Sequence, residues 1–112
     1  SVVTRVWPIL LTQGAEQDLE AIHDYLHRVG DSAPATTLLE QLMQLAHSLA
    51  EQPERGHFPP ELLSLGIKEY RQLVLAPYRL IYRLADDQVI IYVIADARRD
   101  LQALLARRLF SA

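Results

Sequence analysis

The sequence predicts an α+β domain: an N-terminal strand, an antiparallel helical hairpin packed on a mainly antiparallel four-stranded sheet, and a short C-terminal helix. Three observations predict it. Apolar residues in the first half recur at helical spacing in two blocks separated by only a few residues. In the second half they gather into three short runs rich in Ile, Val, Leu and Tyr, joined by tight turn signals. Half of the 112 residues are hydrophobic and 22% are charged, which is ordinary globular composition and enough for residues 1–112 to form one domain.

"TRVWPILL" reads as the first strand, with Pro8 placing it at a sheet edge or a bulge, because proline has no N–H to give to a ladder. Thr12 then offers a helix cap. Ala15, Leu19, Ile22, Leu26 and Val29 step by four and three, which leaves Glu16, Asp18, Glu20 and Asp24 to water on a helix ending at Gly30. Asp31 or Ser32 caps a second helix with Pro34 in its first turn, and Leu38, Leu42, Leu45 and Leu49 form its stripe until Pro53 stops it. The short connection makes the two helices an antiparallel hairpin. "PERGHFPPELLSLG" is a loop with one helical turn at "PELLSL". "IKEYRQLVL", "YRLIYRLA" and "QVIIYVIA" are the remaining strands, turning at Ala76-Pro77 and Asp86-Asp87, and a last helix covers roughly Leu101 to Leu109.

A two-residue turn at Asp86-Asp87 pairs Ala85 with Gln88 and sets the register. One face then carries Leu80, Tyr82 and Leu84 opposite Val93, Ile91 and Val89, and packs under the hairpin. The other carries Arg79, Ile81 and Arg83 beside Ile94, Tyr92 and Ile90. With no helix left to cover it fully, this mixed face is expected to be an open groove that a partner fills.

Composition excludes several classes. Cysteine is absent, so disulfides, thiolate zinc sites and cysteine nucleophiles are ruled out. No apolar run reaches the roughly 18 to 20 residues of a membrane span, and "SVVTRVWPILLTQ" lacks a signal-peptide core, so the expected location is cytoplasmic. The net charge of −3 is unevenly spread. Residues 1–66 hold three basic groups against nine acidic ones, whereas residues 67–112 hold eight against five. The C-terminal half therefore suits an anionic partner, nucleic acid or an acidic protein segment, although a basic face that only meets water reads the same way. His23 and His27 stand one helical turn apart at metal-compatible spacing, but among acidic surface positions and outside any metalloprotease pattern, so they are read as a solvated face.

The fragments "AEQDLEAIHDYL", "LAEQPERG", "KEYRQLVLAPYRLIYRL" and "ADARRDLQALLARRL", in this order and on this succession of elements, are those of a known group. The chain resembles the RelE/ParE superfamily of toxins from bacterial type II toxin–antitoxin pairs, over nearly its whole length, and is closer to the ParE branch.

The resemblance implies a toxin held by a cognate antitoxin, with one of two targets. RelE-like members cut messenger RNA on the ribosome, and ParE-like members bind and poison DNA gyrase. A metal-free ribonuclease needs clustered cations for the phosphate and an acid/base side chain. Aligned on the RelE-like pattern, the chain keeps Arg71 and Arg79 but has Leu73 and Leu75 where basic groups are expected, and "LQALLARRLFSA" has no tyrosine or histidine. Of the sheet tyrosines Tyr70, Tyr78, Tyr82 and Tyr92, parity sends Tyr78 and Tyr82 to the core face, and Tyr92 is the best candidate for chemistry; Arg71, Arg79, Tyr92 and Arg99 would be the catalytic surface of such an enzyme. The resemblance thus favours a gyrase inhibitor with no catalytic residues, metal or cofactor. Its expected antitoxin-binding residues are Arg71, Arg79, Ile81, Arg83 and Tyr92, and its expected target-binding residues Arg98, Arg99, Arg107 and Arg108. A third class, a nucleic-acid-binding or interaction domain without toxicity, has no positive motif: aromatic RNA-binding signatures, glycine-rich phosphate loops and zinc spacings are missing.

Overall fold

The computed structural model describes residues 6–29 and 32–110, and the side chains of 6–29 and 37–109 within them. The elements follow in the expected order. β1 (Ile9–Leu11) is followed by α1 (Gln13–Val29), α2 (Ser32–His47) tightening into a 3-10 turn at Ser48–Ala50, and the single turn α3 (Pro60–Leu63). Then come β2 (Tyr70–Leu75), β3 (Tyr78–Ala85), β4 (Gln88–Asp96) and α4 (Leu101–Phe110). The sheet order is β1-β4-β3-β2, antiparallel except for β1, which runs parallel to β4 at one edge.

Pro8 stands just before β1, where its carbonyl accepts from the Val89 N–H at 2.8 Å and its missing donor costs nothing. Thr4 and Arg5 of the expected strand, the helix-ending Gly30 and the proposed cap Asp31 lie outside the described residues. Thr12 caps α1: its Oγ1 accepts from the Ala15 N–H at 3.2 Å, a contact that stabilises a helix start by about 1 kcal/mol. β2 begins at Tyr70, three residues later than the apolar pattern starts, because Ile67 packs inward from the loop instead.

Asp86 and Asp87 both have positive φ, 54° and 61°, the mirror-image turn whose twist matches a hairpin, and Ala85 pairs with Gln88 as expected. The expected register holds for Leu84, Arg83 and Tyr82 opposite Val89, Ile90 and Ile91. It then fails. A β-bulge between Ile81 and Tyr82 leaves Tyr92 without a cross-strand partner, so Ile81 faces Val93, Leu80 faces Ile94 and Arg79 faces Ala95.

Two apolar layers result. On one side α1 and α2 lay Ala15, Ile22, Leu42, Ala46 and Leu49 on Leu73, Tyr78, Leu80, Tyr82, Val89, Ile91 and Ile94. Tyr82 is fully buried there, and its hydroxyl donates to the Pro53 carbonyl at 2.7 Å and accepts from the Gly56 N–H at 3.0 Å, tying the 53–58 loop to the core. On the other side Ile81, Val93 and Ala95 pack under Leu101, Leu104 and Leu105 of α4 and Leu62 of α3. The middle of the sheet face expected to stay open is therefore covered, with Ile81 0% exposed, while Arg83, Ile90 and Tyr92 remain half-buried and Val74 is exposed. α4 begins where Asp100 Oδ1 accepts from the Ala103 N–H at 3.1 Å.

Asp18 also departs from its expected place. It was expected in water, yet it is 8% exposed and stands on the buried stripe of α1 between Ala15 and Ile22. Ile94 lies beyond the last residue of β4 that β1 pairs with, and Asp18 Oδ2 accepts its N–H at 3.0 Å. The other carboxylate oxygen pairs with Arg108 of α4, whose Nη1 also donates at 3.2 Å to the carbonyl of the bulged Tyr92. One ion pair thus satisfies backbone groups that the bulge and the short β1 leave unpaired.

Candidate partner-binding site

The five sheet residues expected to hold a partner do not all share one surface, although Arg71 and Arg83 line a common pocket with Lys68, Glu69 and Leu84. Arg71 lies on the helical-hairpin side, opposite Tyr82, with its guanidinium 4.7 Å over the Phe58 ring and Nη1 donating to the carbonyls of Glu54 and Gly56. Arg79 lies on the α4 side and is fully engaged. Its Nη1 and Nη2 donate to the two Glu61 carboxylate oxygens at 2.7 and 2.8 Å, and Nε donates to Gln72 Oε1 at 2.7 Å. Those bonds from Arg79 hold the Glu61 carboxyl below the usual carboxylate range against the opposing effect of burial. Arg83 sits 5.9 Å over the Tyr70 ring and remains half-buried, and Tyr92 packs edge-on against Tyr70 at 5.5 Å.

The neighbours of Arg79 also differ from the alignment. Leu73 and Leu75 point into the hairpin core, so the β2 residues on the face of Arg79 are Tyr70, Gln72 and Val74. None of them is a cation. Strand parity would have shown this, since Arg71, Leu73 and Leu75 alternate with those three.

The C-terminal arginines divide by exposure. Arg98 is 79% exposed and forks onto Asp96, with Nη2 to Oδ2 at 2.6 Å and Nε to Oδ1 at 3.0 Å. These bonds and the Arg98 backbone N–H hold the Asp96 carboxyl down at about 2. Arg99 is exposed, its side chain making no hydrogen bond or ion pair to the described residues though its charge acts on Asp96, and Arg107 is exposed on α4. Arg108, by contrast, pairs with Asp18, and its side chain is 27% exposed. Arg98 and Arg99 border a cleft between α1 and the end of β4, a feature that charge counting did not suggest. His23 and His27 bring their rings within 4.0 Å of each other, and no third His, Asp or Glu completes a metal-binding group among the described residues.

The comparisons agree with this architecture. The family model described as ParE toxin of type II toxin-antitoxin system, parDE, matches residues 9–101. Among solved structures, a chain of the chromosomal ParDE TA system from P. aeruginosa is similar at a TM-score of 0.68 and 19% identity, covering 82% of this chain and 97% of that one. A chain of the toxin-antitoxin complex RelBE2 from Mycobacterium tuberculosis is similar at a TM-score of 0.58 and 20% identity, covering 86% of this chain and 97% of that one. No curated protein sequence matches. At these identities the solved structures speak to the fold, and the family model, which spans the sheet, the hairpin and the start of α4, speaks to kinship: the chain belongs to the ParE toxin family of type II toxin–antitoxin systems.

Proposed function

We propose that this chain acts in the cytoplasm as a one-domain toxin that binds and poisons DNA gyrase, and that a cognate antitoxin neutralises it. The observation that carries this reading is the state of Arg79. On the sheet face where a phosphate would need cations, its guanidinium is spent on Glu61 and Gln72, and the adjacent strand offers Gln72 and Val74. A pentavalent phosphate requires free donors and a proton acceptor within hydrogen-bond reach. The segment from Leu101 to Ala112 supplies neither tyrosine nor histidine for that role.

Inhibition by binding needs only a surface. Arg98, Arg99 and Arg107 keep solvent access and are the residues assigned to the target. Arg83, half-buried beside Tyr70, is the sheet arginine left for the antitoxin, since Arg71 and Arg79 already hold partners within the chain. The test incubates the protein with DNA gyrase in supercoiling and cleavage assays, with and without the antitoxin encoded beside it, and in parallel with translating ribosomes. Lost supercoiling or accumulated cleaved DNA, relieved by antitoxin with messenger RNA intact, is the expected result. Cut messenger RNA with gyrase unaffected overturns it in favour of a RelE-like ribonuclease.

A further inference from the structure

A cleft of about 320 Å³ opens between α1 and the C-terminal end of β4, on the hairpin side of the sheet. Its apolar lining comes from Ile22 and Ile94, Tyr25 and Tyr78 stand at its walls, and Arg98 and Arg99 lie at its rim. Tyr78 is 6% exposed, and its hydroxyl, which makes no hydrogen bond to the described residues, is not among their buried unpartnered atoms and so reaches the cleft. Burial, followed by the nearby Asp96 charge, pushes the Tyr78 phenol pKa up, so it is a donor at neutral pH. Tyr25, half exposed, extends the apolar wall into solvent.

The two aspartates and two arginines that line the cleft balance until Arg108, which pairs with Asp18 from outside the lining, is counted. Asp18 and Asp96 both line it, but each carboxylate is bonded to its own arginine, Arg108 and Arg98. Arg99 is the charge left over, so the mouth is positive and complements an acidic segment carrying an apolar side chain. The volume lies at the low end of the range for ligand pockets and suits one large side chain rather than a whole helix.

We propose that this cleft anchors the antitoxin: an apolar side chain of an acidic segment enters between Tyr25 and Tyr78, a neighbouring carboxylate meets Arg99, and a polar atom of the segment accepts from the Tyr78 hydroxyl. The proposal rests on the reading that an antitoxin neutralises this chain. It adds the means, because a segment seated here covers Arg98 and Arg99, the cations assigned to the target, and neutralises by occlusion.

The experiment measures by calorimetry the affinity of the antitoxin encoded beside this chain for the wild type, Ala21→Trp, Arg99→Glu, Tyr78→Phe and the charge-matched Lys68→Glu. Ala21 lines the cleft from an exposed position on α1, so a tryptophan there fills it without entering the core. Filling or reversing the site is expected to weaken binding roughly 30-fold, the loss typical of an interface hot spot, with Lys68→Glu within about threefold of wild type. Tyr78→Phe, which removes only the donor, is expected to cost about three- to tenfold. Full affinity in Ala21→Trp, with thermal unfolding showing it folded, overturns the cleft while leaving the antitoxin reading intact. Equal losses in Arg99→Glu and Lys68→Glu reduce the effect to general surface charge and also overturn it. A wild type that binds no antitoxin overturns both this proposal and the reading beneath it.

Discussion

Replacing Asp18 by alanine removes the acceptor at the junction of α1, β4 and α4, and its cost follows from what is left behind. The Ile94 N–H loses its 3.0 Å bond to Asp18 in a buried setting, which costs about 1–3 kcal/mol. Arg108 loses its counter-ion but keeps the bond to the Tyr92 carbonyl, and its side chain is 27% exposed. Its charge is therefore only partly stranded, which adds about 1–2 kcal/mol rather than the full penalty of a broken buried pair. Together the expected loss is about 3 kcal/mol, or roughly 10 °C in Tm for a domain of this size. Asp18→Asn retains an oxygen for the Ile94 N–H and is expected to cost about half as much. Arg108→Met, combined with Asp18→Ala, closes a double-mutant cycle in which the pair is expected to show about 1–2 kcal/mol of coupling. Urea unfolding followed by circular dichroism reads all five proteins, with constant m values confirming a change in stability alone. A loss below about 1 kcal/mol in Asp18→Ala, or additivity within about 0.5 kcal/mol, refutes the claim that this pair holds α4 to the sheet.

Further expectations concern acid behaviour and packing. Glu61 has a folded-state pKa below its unfolded one, so its contribution is present above the unfolded pKa of about 4.3 and is lost as pH falls through the folded value. The stability gap between wild type and Glu61→Gln should thus shrink between pH 5 and lower values in urea unfolding, and a gap independent of pH contradicts the assignment. Asp96 should titrate at about 2 by carboxyl NMR, and Arg98→Gln should return it toward the ordinary aspartate value of about 3.9; an unmoved midpoint shows that the fork is not formed in solution. Gly56 has no room for a side chain, since a Cβ there would lie 2.6 Å from the Tyr82 hydroxyl and 2.7 Å from the Gln72 carbonyl. Gly56→Ala is expected to cost about 2 kcal/mol, and a neutral result in thermal unfolding would mean that the loop shifts freely away from Tyr82.

The features of this protein that depend on neighbours in sequence were legible in it. The Thr12 cap, the two helical stripes, the turn at Asp86-Asp87 and the single turn at Pro60–Leu63 each rest on residues within a few positions of one another. Strand parity, which is equally local, sent Tyr78 and Tyr82 to the core. The spacing of Ala15, Asp18 and Ile22 also carried the signal that Asp18 is buried, but its charge argued the other way until a partner ninety residues distant was in view.

Distance along the chain marks where sequence reasoning stopped. No glycine or proline announces the bulge at Tyr92, and past it every pairing of β3 with β4 shifts by one residue. The leucines of α4 showed that the helix buries a face without saying against what, so the sheet surface it covers was read as open. For the same reason four arginines that look alike in sequence have different fates. Arg79 is held by Glu61 and Arg108 by Asp18, while Arg99 and Arg107 face solvent. The elements and the family are legible from the residues alone, because propensity, periodicity and turn chemistry act over a few positions. Which cations remain accessible to a partner emerges with folding, because neutralising an arginine depends on a carboxylate that packing brings to it from elsewhere in the chain.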